Sequence, residues 1–158
     1  LAITQTLCTS FKAELLLGVH DFRVTAGDTF NIALYSSSAG IDANTTAYTA
    51  TGEVTGAGYS AGGVALTSLG VTTTTGTTST GVGFADFSDA VFTGVTLTAR
   101  GALIYNTTPS ATNNAGGTLT NPAVAVIDFG SDKTTNAANM TIMFPTGNST
   151  SAIIRVGL

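Results

Sequence analysis

A chain of 158 residues with 43% apolar and only 9% charged residues is long enough for one ordinary core and too apolar and charge-poor to be disordered. Its net charge of −4, with five scattered cations, excludes the basic patch that phosphate binding needs, and so argues against nucleic acid as a partner. A single cysteine excludes an intrachain disulfide and a cysteine-based zinc site, so stability has to come from packing, to which assembly can add, and no run approaches the ~20 apolar residues of a membrane span.

One domain, 1–158, is expected. The opening Leu1-Ala-Ile-Thr4 has no basic region followed by an apolar core, so no signal peptide is expected. The first element is a helix, where Phe11, Leu15 and Leu16 recur at i, i+4 and i+5 among good helix formers, with Thr9 or Ser10 placed to cap it and Gly18 to end it. At about two turns it cannot stand alone in water. Residues 1–22 therefore read as a segment that docks, either on its own sheet or as an arm on a neighbouring subunit.

Strands follow. Phe30, Ile32 and Leu34 alternate through Thr29–Tyr35, the pattern of a half-buried strand. Ser36–Ala50 is a polar excursion, and the stretch from Gly52 to Gly63 reads as an irregular strand or a loop pinned by Tyr48 and Tyr59. Val64–Val71 is expected as one strand, and Thr72–Gly81 as a polar strand or an edge turn. Val82–Phe87, Val91–Thr98 and Arg100–Tyr105 alternate again. After the polar connection 106–122, Ala123–Phe129 is continuously apolar, Gly130–Lys133 reads as a turn, and Met140–Phe144 and Ser151–Val156 complete the set. Seven to nine short strands with one short helix predict an all-β protein, a β-sandwich or jelly-roll-like fold.

Chemistry has few footholds. The one histidine, His20, would have to serve any Ser-His-Asp triad, with Asp21 or Asp28 as orienter, and no Gly-x-Ser-x-Gly elbow accompanies it. A histidine that ties loops together is the simpler reading. Asp86 with Asp89, or Asp128 with Asp132, could pair for glycoside hydrolysis, and Asp86, Asp89 or Asp132 for calcium, yet all flank strand ends where aspartate commonly satisfies turn backbone. Cys8 reads as a small buried hydrophobe rather than a reactive thiol. The Asn-x-Ser/Thr triplets at Asn44, Asn106, Asn139 and Asn148 are what chance gives in a chain with 31 threonines. No catalytic residue, cofactor or metal site is expected.

The order of segments carries a resemblance. Cys8-Thr-Ser-Phe-Lys-Ala-Glu-Leu15, Gly18-Val-His-Asp-Phe22, Gly27-Asp-Thr-Phe-Asn-Ile-Ala-Leu-Tyr35, Thr45-Thr-Ala-Tyr-Thr49, Gly52-Glu-Val54, Gly58-Tyr-Ser-Ala-Gly-Gly63, Ala99-Arg-Gly-Ala-Leu-Ile-Tyr-Asn106 and Ala123-Val-Ala-Val-Ile-Asp-Phe-Gly-Ser-Asp-Lys133 together resemble a family of small virion structural proteins of tailed bacteriophages. The resemblance spans nearly the whole chain. It implies a non-enzymatic capsid or tail component, made in the bacterial cytoplasm and built into the particle.

Two places in a virion then compete. A cement or decoration protein would trimerise and bind the major capsid protein; a neck, tail or fibre-attachment component would form a ring or adaptor with other virion proteins. Compactness and the lack of a coiled-coil or fibre repeat favour cement. A third reading, from another class, is a carbohydrate-binding β-sandwich module using Tyr35, Tyr48, Tyr59 and Tyr105 as platforms. For contacts the candidates are Phe11, Leu15 and Leu16 on the helix, together with Arg100 and Arg155. These two cations lie in apolar strands, where burial without a partner is costly, so at least one is expected to pair with Asp86, Asp89 or Asp128.

Overall fold

The structure is a computed structural model that describes residues 2–74, 81–109 and 111–157. It is all-β with one short helix: β1 (Thr6–Leu7), α1 (Thr9–Leu16), β2 (Phe30–Tyr35), β3 (Val64–Leu66), β4 (Ser68–Thr74), β5 (Val82–Phe87), β6 (Ala90–Asn106), β7 (Ala123–Ile142) and β8 (Ile154–Val156). Every strand pair is antiparallel, in a five-stranded sheet of order β1-β7-β6-β2-β3 and a three-stranded sheet of order β4-β5-β8.

The strands are not uniformly short. The two stretches expected as Val91–Thr98 and Arg100–Tyr105 are one 17-residue strand, β6, and the turn expected at Gly130–Lys133 lies inside the 20-residue β7. The register explains why the turn residues do not break the strand. Gly101 pairs with Asp128 and Ala99 with Lys133, so the single residue Arg100 faces four residues of β7, Phe129–Asp132. The Gly-Ser-Asp signal is absorbed as a bulge. Val64–Val71, in contrast, divides between β3 and β4, which belong to different sheets. Of the low-complexity run, Thr72–Thr74 continues β4, and residues 75–80 lie outside the described residues.

Residues 2–22, expected as a possible arm, are stitched into their own domain. Thr4 N–H donates to the Ile41 carbonyl, Cys8 N–H to Val124 and Thr9 N–H to Ala43, while β1 pairs with β7. The helix starts at an N-cap, Cys8, that offers no side-chain bond, in place of the expected Ser10 or Thr9, and Gly18 ends it at φ +69° as expected. Its buried side chains are Phe11 and Glu14, one turn apart, whereas Leu16 stands 90% exposed. Phe11 therefore cannot serve as a partner contact. It fills the chain's own core, 4.9 Å from the His20 ring and 6.2 Å from Phe22, and Phe22 in turn stacks on Phe30 at 4.6 Å. Phe30 of β2 meets Phe87 of β5 at 5.4 Å, so this aromatic cluster joins the two sheets and the helix in one core.

Candidate functional site

His20 sits in a buried polar chain rather than a triad. Its Nε2 is 2.8 Å from Glu14 Oε2 and its Nδ1 is 3.1 Å from Asn106 Nδ2. The orientation of Asn106 is fixed at both ends: its NH2 also donates to Asp28 Oδ2 at 2.8 Å, and its Oδ1 accepts the Thr108 N–H at 2.9 Å. An amino group facing Nδ1 requires that nitrogen to accept, so the proton is on Nε2 and is donated to the Glu14 carboxylate. Burial holds the imidazole below its ordinary pKa, against the opposing pull of Glu14 and Asp28. Neither ring nitrogen is left to act as a base. The chain ties α1, the segment after it and the end of β6 together, which is the loop-tying role expected of this histidine.

A second polar node was not anticipated. Glu53 Oε1 accepts the Tyr59 hydroxyl and the Gly62 N–H, both at 2.7 Å, and Oε2 accepts the Tyr48 hydroxyl at 2.6 Å. Tyr105 OH donates to the Gly62 carbonyl at 2.7 Å, and Tyr35 OH to that of Thr49. Burial raises Tyr48 to about 12, with Glu53 adding to the effect, and pushes Tyr35 and Tyr59 higher still. The loop is held close as well as bonded: a Cβ on Gly63, at φ +74°, would fall 1.8 Å from the Ile32 carbonyl oxygen. Gly52–Gly63 is thus a loop pinned by its tyrosines. The tyrosine ring faces are also occupied, Tyr48 on Tyr105 at 4.8 Å and Tyr59 on Phe92 at 5.8 Å, and Tyr35 is wholly buried.

Arg100 pairs with Asp128, as the sequence suggested. Its Nε is 3.1 Å from Asp128 Oδ1, and Asp132 stands at 4.0 Å, both carboxylates delivered by the β7 bulge. Asp128 is held below the usual carboxylate range first by the Gly130 N–H and then by Arg100. Arg155 is exposed and bonds the Ser149 carbonyl. The other aspartates serve the backbone: Asp86 accepts the N–H of Phe87, and Asp89 that of Phe144. Among the described residues, no three His, Cys, Asp or Glu side chains converge on a common point. Cys8 is buried, and desolvation lifts its thiol to about 11, with Glu14 adding to the shift, so it carries no thiolate at neutral pH.

What faces outward is therefore mostly uncharged and partly apolar. Of the three helix candidates, Leu15 is half-buried against the core and Leu16 is fully outside, joined by exposed Val24, Leu69, Val71, Val91, Met143 and Val156. The half-buried Glu53 and the buried Glu14 were missed although their partners are only five to nine residues away, because a lone glutamate among polar neighbours carries no periodic signal of burial, while exposed Val71 and Val156 read as ordinary strand residues. No family model, curated protein or solved structure matches the chain. No helix among the described residues is long and apolar enough to cross a membrane.

Proposed function

We propose that the chain is a non-enzymatic structural protein of a tailed-bacteriophage virion, a cement or decoration protein that oligomerises, as a trimer in the simplest case, and binds the major capsid protein. The sequence resemblance supplies the family. One structural observation supports the role: six ionisable residues within the resembling segments, Glu14, His20, Asp28, Glu53, Arg100 and Asp128, engage partners inside the chain. A pattern that builds internal nodes and leaves few charges on the outer surface suits a subunit whose work is to be packed against others. Such a domain, lacking disulfides, gains stability by mass action when clamped in a symmetric assembly. The chain is made in the host bacterial cytoplasm and resides on the capsid surface.

The test is to mix the purified chain with empty capsids of the virus that encodes it and follow binding and capsid melting. Saturable binding with a raised melting temperature is expected. Binding to isolated tails or necks, with capsids ignored, would move the assignment to the neck or tail.

A further inference from the structure

The long strand β7 doubles back on itself. Ile127 and Ile142 bound a stretch of it that would span about 50 Å if it ran straight, yet both line the same two adjoining cavities, of about 460 and 470 Å³. The bend follows from the Phe129–Asp132 bulge and the further register shifts toward Phe92, which coil the β6–β7 ribbon. The two arms of β7 thus face each other across an apolar slot, with Ile127 and Phe129 on one side and Met140 and Ile142 on the other. Leu7, Phe144 and Ile153 continue the wall into the first cavity. Met143 lines both cavities and is 79% exposed, so the slot opens to solvent there.

One charge enters this slot, that of Lys133. Lys133 pairs with Ala99 and Thr135 with Leu97, and because Ala99 and Leu97 are buried, Lys133 and Thr135 project from the core-facing side of the ribbon. Lys133 is the one ionisable residue in either wall. Its amine donates to Ser131 Oγ at 2.9 Å, and among the described residues it makes no ion pair. Thr134, Thr135 and Asn139 line the same cavity and add uncharged polar groups. We propose that the slot binds a single-chain amphiphile with an acidic head, a medium- to long-chain fatty acid, its tail against Ile127, Ile142 and Met143 and its carboxylate at Lys133. The charge pattern selects this occupant. A wholly apolar ligand would leave the ammonium unmatched, a cationic one would meet a like charge, and a small anion would leave the apolar walls wet. The cavities fall in the size range of small-molecule sites, roughly 300–1,000 Å³, which combine apolar walls with a few placed polar groups. The site is independent of the virion role and needs no second copy of the chain.

Isothermal titration calorimetry of the full chain at pH 7 tests the site with decanoate, against 1-decanol for the tail alone and butyrate for the charge alone. Saturable binding of one decanoate per chain is expected, with decanol weaker and butyrate silent. Two substitutions at exposed positions, checked for folding by far-ultraviolet circular dichroism, separate head from tail. Lys133→Gln should weaken decanoate at least about fivefold, the worth of a solvent-exposed charge pair, and leave decanol unchanged. Met143→Glu, which sets an anion in both cavities, should abolish decanoate binding. A wild type without saturable decanoate binding would overturn the site, as would decanoate binding that neither variant weakens. If decanol binds as tightly as decanoate and Lys133→Gln changes neither, the slot takes apolar chains regardless of charge and the acidic head group falls.

Discussion

The Glu53 carboxylate lies 2.7 Å from the Tyr59 hydroxyl, and that same hydroxyl accepts the Leu34 N–H of β2 at 3.0 Å. One acidic side chain thereby fastens a loop to β2 of the larger sheet. Removing it leaves two tyrosine hydroxyls and an amide without their acceptor. Glu53→Ala is expected to cost about 2–3 kcal/mol in urea unfolding, and Glu53→Gln less, since an amide oxygen still accepts one pair of donors. Equal, negligible losses for both would mean the node is held by its surroundings.

Gly63 should tolerate no side chain. The left-handed conformation and the 1.8 Å approach to Ile32 act together, and the obstacle is strand backbone rather than a movable side chain. Gly63→Ala is expected to destabilise by at least about 2 kcal/mol. A thermal melt within error of wild type would contradict the loop's placement.

Neutral His20 makes stability depend on pH in a defined window. Its folded pKa lies below the ordinary 6.5, so the unfolded chain binds the proton more readily. Its contribution is whole above that value, is lost progressively as pH falls below it, and levels off once the folded pKa is passed. The window is separate from that of Asp21 and Asp128, whose lowered pKa values make their contribution vanish only as pH falls below 3.8. Melting temperature measured from pH 8 to 4 should show the first decline beginning near 6.5, and His20→Gln should flatten it. A decline of the same size in the variant would assign it to other groups.

Arg100 and Asp128 are each partly exposed, so their pair is screened by solvent and worth little alone. Arg100→Ala should lower the melting temperature slightly in low salt, with the difference shrinking at high salt. If the melting temperature and assembly both match wild type at low salt, the pair has no role in either.

Much of this architecture was legible where apolar alternation is local. β2 and β5 fall where Phe30, Ile32 and Leu34, and Val82 to Phe87, put them, and Gly18 ends the helix. What failed depended on which neighbours the fold sets beside a residue. Hydrophobicity alone turns Leu16 inward, but with Phe11 and Glu14 on the buried side Leu16, five residues beyond Phe11, falls on the outer face of the helix. Gly130-Ser-Asp132 has the composition of a turn, and only the presence of β6 alongside converts it into a bulge. Arg100 was the exception, since a cation in an apolar strand demands a carboxylate and Asp128 was the one at hand.

The most direct test of the proposed virion role is quantitative mass spectrometry of tailed-phage particles purified from bacteria that express the chain's gene. The account predicts the chain in intact virions at a copy number in fixed ratio to the major capsid protein. Its absence from virions, with the protein found only in infected-cell lysate, would contradict it.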